Sequence, residues 1–580
     1  MNWRWFRPPL SARWRVGLTF LCALCAGQLA AQVLSARAVG QVPDKTAGAT
    51  FNVNSTDDAV DSMPGDGVCD AAPPAGQCTV RAAVQEANSL PGADTILIPA
   101  GTYTLTLSGA GEDAAATGDL DIASVLNIDG AGVDATVLNG GQLDTVIHVL
   151  ASAKVQLRAL TVRNGNGVGL AGGIRNGGRL TLISTSVTAN SATADGNGGG
   201  IANGGMLDVQ SSRVMANSAG GQGGGIYNTG TLTVISTTVG INTAGSDGGG
   251  LANAVGSATV WETTFENNQS AGGGGGIWND AGLALHNTTV SLNRSDLSGA
   301  GLALHAGAGS ASLNNVTIAN NITKGSGGGL RIDGGAPALQ NTLLGGNLDD
   351  DHQGTLGTSD CVGIVNSHGH NLIETGAGCS ITGDTTGNLV DVAAGIMALS
   401  NNGGTMRTHA LRPGSAAIEA GSPSQPGSGG QACEATDQRG ISRPQVYHCD
   451  IGAFELEGDP VTATPTPTGQ PTATPTATGT ATATSTATAT GTMPPSATAD
   501  NRTTTPPVST STATPTGSLE GTPTVRPPSP SPTRSPTTAP SGTRTPSRTA
   551  AATRTPTRGT PGPNRRYIYA PIVVKRQVLP

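Results

Sequence analysis

The sequence predicts an all-β protein whose body is a right-handed parallel β-helix. Two aliphatic columns recur together every 25 to 28 residues. Short runs between them alternate aliphatic residues with Thr or Ser, the period of a strand with one buried face. Glycine supplies 86 of 580 residues while aromatics make up 3%. That composition suits many tight corners around a thin apolar column better than one compact core.

The first column holds Val137, Val162, Val187, Val214, Val239, Phe265, Val290, Ile318 and Leu344. The second holds Ile174, Ile201, Ile226, Leu251, Ile277, Leu302 and Leu330. Leucine-rich and helical repeats are excluded, because their helical stretches are missing. Runs such as Leu180-Thr-Leu182 and Leu232-Thr-Val234, separated by Gly-rich corners at 198–200 and 248–250, predict three short strands per rung. About ten or eleven such rungs are expected, stacked at the strand spacing of roughly 4.8 Å. Two asparagine series keep the same phase. One is Asn190, Asn217, Asn242, Asn268 and Asn293, continued by Asn321 and Asn347; the other is Asn176, Asn203, Asn228, Asn253 and Asn279. Both are read as structural corner ladders, since stacked Asn side chains bond one another and Asn tolerates left-handed backbone angles.

Six segments are predicted. Residues 1–38 read as a secretion signal: Arg4, Arg7, Arg13 and Arg15 precede an apolar stretch at 16–27 that is too short to span a bilayer. An opening cap module covers 51–128, the repeat array 129–347 and a closing region 348–457. A Thr/Pro/Ala/Ser tract at 459–566 contains no Phe, Tyr, Trp, Ile or Cys, so it is expected to be a disordered, extended stalk. A short apolar tail, 567–580, follows, and no membrane span is predicted in the mature chain. Beyond the signal, six cysteines fall into three local pairs, Cys69–Cys78, Cys361–Cys379 and Cys433–Cys449. An exported chain with an even count points to disulfides in those pairings. Zinc is the rival reading, but no C-x-x-C remains in the mature chain.

Charge is divided unevenly. Residues 40–458 carry 36 acids against 15 bases, whereas 459–566 carries 9 Arg against 3 acids. The acidic body argues against a nucleic-acid partner, whose phosphates it would repel. Extracellular glycans or envelope polymers are the expected partners.

Certain stretches resemble known families. The G-G-[IL] and [FV]-x-x-N repeats, closest at Phe265-x-x-Asn268, resemble those of polymorphic outer membrane proteins and related adhesin passengers, which are surface β-helices. The stretch from Phe51-Asn-Val-Asn-Ser-Thr-Asp-Asp through Cys78-Thr-Val-Arg-Ala-Ala-Val84 to Pro99-Ala-Gly-Thr-Tyr103 resembles the CSLREA domain of bacterial exported proteins. Thr79, Val80, Ala82 and Val84 depart from its name motif, and the missing acid removes any Arg–Glu pairing there. On its own residues, Val80 to Asn88 reads as a short amphipathic helix capping the first rung, with Arg81 bonding the open strand edge. Asp360-Cys361, Gly369-His-Asn-Leu372, Asn402-Gly-Gly404, Asp437-Gln-Arg-Gly440, Arg443-Pro444 and Asp450-Ile-Gly-Ala-Phe-Glu455 resemble the choice-of-anchor Q region of similar proteins. That resemblance implies export or surface attachment and names no reaction.

The functional reading is therefore a secreted or cell-surface β-helix with an adhesive or envelope-structural role and no catalysis. The alternative is a polysaccharide lyase or glycoside hydrolase of the pectate-lyase-like β-helix type, which needs clustered acids in a groove. Asp119, Asp121, Asp349 and Asp351 are the candidate catalytic residues. Asp119 and Asp121 are two apart and share a strand face or a turn, while Asp349-Asp350-Asp351 is expected in a solvated loop. No metal site or cofactor is assigned; Ca²⁺ is the one cation that acidic clusters raise, and His368-Gly-His370 lacks acidic neighbours. Trp261 and Trp278 fall at different phases, so no aromatic strip is expected.

Overall fold

The computed structural model describes residues 47–458 apart from 72–75, 306, 308, 309 and 351–355. The predicted signal, stalk and tail, and Asp351, lie outside the described residues. The chain is a parallel β-helix. Its strands form a 22-stranded, a 12-stranded and a 9-stranded sheet.

One rung shows the plan: Ile201–Asn203, Met206–Gln210, Arg213–Met215 and Ser218–Ala219, before Ile226–Asn228 opens the next. The first three are the expected strands; the fourth, of two residues, builds the 9-stranded sheet. We call the ladders these four begin the I-x-N, L-x-L, V and corner ladders. Val162, Val187, Val214, Val239, Phe265, Val290, Ile318 and Leu344 stack in register along the V ladder and are fully buried. Each such side chain contributes roughly 1.5–3 kcal/mol by leaving water. Ile174 through Leu330 stack likewise along the I-x-N ladder.

Val137 does not belong to its expected column: it pairs with Thr161, and Leu138 is the partner of Val162. Two adjacent aliphatics leave the alternation ambiguous, and a one-residue slip exchanges the two faces. The ladders also cross the boundaries drawn at 128 and 347. Ala47–Asn52, Ala93–Ile98 and Val125–Gly130 pair in parallel, so the opening module is itself coiled. Cys361–His368 and Leu372–Ile373 extend the coil at the other end. Among the described residues the V ladder consequently runs to 12 strands, from Gly101–Thr104 to Leu389–Val390.

The helix Val80–Ser89 buries Val80, Val84 and Ala87 in the same core as the first rungs. Thr79 caps it by accepting the Ala82 N–H at 3.0 Å. Arg81 is fully buried and pairs with Asp58, Nε to Oδ1 at 2.6 Å. Its remaining donors satisfy the carbonyls of Ala115, Gly118 and Asp119, fixing the loop that leads into Leu120–Ile122. The acid that Arg81 meets comes from the Ser-Thr-Asp-Asp segment upstream.

Both asparagine series form ladders. Asn176, Asn203, Asn228 and Asn253 each donate Nδ2–H to the next Oδ1 at 2.7 Å, ending at Asn279. The second series runs from Asn190 to Asn347 and ends on Asp360. The left-handed residue at the second corner is the one before the ladder Asn, as at Ala189 (φ 54°), Ala216 (54°) and Ile241 (58°). The ladder Asn holds that turn from the next position.

All three expected disulfides are formed, with Cα–Cα separations of 5.1, 5.5 and 6.6 Å. Beyond Val390 the chain turns back along the outer face of the V ladder. Arg407 O accepts from Thr264, His409 meets Ser291 at 2.8 Å and Gln438 accepts from Thr289 at 2.6 Å. A second apolar cluster, including Leu343, Leu372, Leu411, Ile451 and Phe454, seals the contact. The motif residues of this region bond one another. Arg443 is buried against Glu455 at 2.7 Å, Asp450 accepts from Glu419 and Leu456, and Arg439 pairs with Asp437 while lying 3.8 Å over Phe454. Their work is to hold this cover in shape.

Candidate functional site

In the I-x-N ladder the Ile and Asn point inward and the middle residue faces out. Successive rungs present Asp121, His148, Arg175, Ala202, Tyr227, Ala252, Trp278, Ala303 and Arg331 in register. From Arg175 onward a large side chain alternates with alanine. Tyr227 and Trp278 are two rungs apart, about 10 Å. The alanines between them, Ala202, Ala252 and Ala303, are buried, and a shallow groove lies among His148, Arg175, Ala202, Tyr227 and Thr229. Trp278 meets His305 with ring centroids 5.7 Å apart, and His305 Nδ1 lies 3.1 Å from Asp280. Arg331 is held by Asp333 and Ser326, each at 2.6 Å. Arg175 is exposed and makes no ion pair among the described residues.

An acidic group lies at the head of this trough. Asp121, on strand Leu120–Ile122, is fully buried; its Oδ1 lies 2.9 Å from His148 Nδ1 and its Oδ2 accepts the Ala115 N–H at 3.2 Å. Asp113 reaches the same imidazole nitrogen at 3.6 Å from the loop that Arg81 fixes, and its carboxylate is 71% exposed. Glu112 steadies that loop by accepting the N–H groups of Ala114, Ala116 and Thr117. Burial, then the charges of Asp121 and Asp144, push the Asp119 carboxyl up to about 7. Burial also raises Asp144. A carboxyl held near neutrality beside an imidazole can give or take a proton.

The structure thus brings Asp119 and Asp121 together on a strand and its approach, and joins to them Asp113, Asp144 and His148. It does not bring Asp349 there. Asp349 sits near the other end of the array, in strand Leu348–Asp350 rather than a solvated loop, and accepts the Gly328 N–H at 3.0 Å. The strand forms because it pairs with Ile322–Thr323 on one side and Leu356–Thr358 on the other. His368 and His370 separate: His370 Nδ1 meets Ala420 O and His368 Nε2 meets Asn366. Trp261 does lie on another ladder, stacked on His286 at 3.9 Å. The expectation of no aromatic strip is nevertheless corrected, because Tyr227 and Trp278 share one. Reading the middle letter of I-x-N down the repeats would have found it, since that letter lies on the outer face of the strand.

No protein-family model and no curated protein matches the chain. Solved structures that resemble it include two at low identity. One is the pectate lyase Pel9A, at 14% identity and a TM-score of 0.39, covering 70% of this chain and 97% of that one. The other is ORF18 of Geobacillus virus E2, at 12% identity and 0.29, covering 58% and 59%. Neither likeness speaks to what this chain binds.

Proposed function

We propose that this chain is an exported surface protein that holds an extended glycan along its I-x-N face, in an adhesive or envelope-structural role. The column Tyr227–Ala252–Trp278 carries this reading. Two half-buried aromatic rings at two-rung spacing, with the small, buried Ala252 between them, suit the apolar faces of successive sugar rings. The disulfides favour an oxidising compartment. Among the described residues no helix is long and apolar enough to cross a membrane. The stretches resembling CSLREA and choice-of-anchor Q modules, and the Thr/Pro-rich tract, support attachment to an envelope.

Binding of the full chain to panels of neutral and acidic polysaccharides tests this. Trp278→Ala and Tyr227→Ala should each weaken retention roughly tenfold, a loss of about 1.4 kcal/mol. Unchanged binding in the double variant would refute the assignment. A second reading, cleavage of that polysaccharide, is favoured by Asp119, Asp121 and His148 at the head of the same trough. Product release that Asp119→Asn abolishes would establish it.

A further inference from the structure

We propose that Asp113, Asp121 and His148 form a site for one divalent transition-metal cation at the head of the trough. This goes beyond glycan binding and does not depend on it. The His148 nitrogen and one oxygen from each carboxylate lie within 4.8 Å of one another. The two separations from His148, 2.9 Å to Asp121 and 3.6 Å to Asp113, fall within the span of one ion at ligand distances of roughly 2.0–2.2 Å.

Each donor is positioned by separate structure. Asp121 is anchored by the strand Leu120–Ile122 and by the Ala115 N–H on its far oxygen, so its near oxygen is presented to His148. His148 stands one rung along, in strand Ile147–Val149, paired directly with Asp121. Asp113 comes from the loop whose carbonyls Arg81 binds. An imidazole nitrogen with two carboxylate oxygens suits Zn²⁺ and its neighbours, whereas Ca²⁺ takes six to eight oxygens. Three protein donors leave further positions for water or a sugar hydroxyl, as in open metal sites. The ion takes the place of the hydrogen bond between His148 Nδ1 and Asp121 Oδ1, with the imidazole in the tautomer that leaves Nδ1 free.

Binding also ties the loop to the first rungs, and therefore registers in stability as well as in calorimetry. The full-length chain, stripped with EDTA, is titrated with Zn²⁺, Mn²⁺ and Ca²⁺ by calorimetry and by thermal unfolding. The expected result is one Zn²⁺ per chain, a melting temperature that climbs with Zn²⁺ concentration, and a smaller response to Ca²⁺. Asp113→Ala removes a largely exposed side chain and should leave the metal-free melting temperature in place. Both it and His148→Ala should weaken Zn²⁺ at least tenfold. Absence of Zn²⁺ binding, full binding retained by both variants, or an equal response to Ca²⁺ would overturn the proposal.

Discussion

Ile241 shows how a residue can work against its own position. It holds φ at 58° just before ladder Asn242, and a β-branched side chain is poorly suited to the left-handed region. The equivalent positions of later rungs include Asn267 and Asn320, whose side chains tolerate that angle. Ile241 is 54% exposed, so little burial is lost by replacing it. Ile241→Asn should therefore stabilise the protein by about 1 kcal/mol. The measurement is the urea unfolding midpoint, and a lower midpoint would count against this account of the corner.

At the scale of elements, the asparagine ladder makes neighbouring rungs interdependent. Asn242 is fully buried, accepts from both the backbone and side chain of Asn217, and donates to Val214 O and Asn268 Oδ1. Asn242→Ala leaves several of those groups buried without partners, which costs about 3 kcal/mol or more. Asn279 closes its own ladder, donating only to Ala281 O, because Leu304 stands in the next rung. Asn279→Ala should cost less. Chemical denaturation of the two variants compares a middle with an end, and equal losses would show that the ladder does not act as a connected chain.

At the scale of the whole molecule, the segment folded back over the V ladder joins distant parts of the chain through buried titratable groups. His409 is buried between Ser291 and Met397, and burial pushes its pKa below the usual 6.5. Its folded state prefers the neutral ring, so its contribution to stability is complete above pH 6.5 and is lost as pH falls through the depressed value. Asp450 works in the opposite sense. Burial and then the Glu455 charge raise it to about 7, so its contribution is greatest below the ordinary 3.8 and is lost as pH rises towards 7. Unfolding midpoints followed from pH 7.5 down to 5 should therefore contain an acid-side loss from His409, approaching about 1.4 kcal/mol per pH unit at most. His409→Gln should remove that component of the slope whatever it does to the midpoint itself. An unchanged slope would mean that other groups govern the acid side.

The coil, its period, its inward columns, both asparagine ladders and the cysteine pairings were legible in the sequence, because each repeats or pairs at short range. Repetition reports which residues stack on which, and adjacency limits which thiols meet. Where two aliphatics stood side by side, as at Val137 and Leu138, alternation lost its meaning and only strand pairing fixed the inward one. The trough was written in the variable letter of I-x-N, yet a letter that varies carries no period to notice. The acidic group at its head was less accessible still: Asp113, Asp121 and His148 come from a loop and two rungs, and Arg81 positions the loop from a helix further up the chain. Such convergence is a property of packing, in which contacts between distant segments follow from the closed coil and its buried anchors rather than from any local pattern.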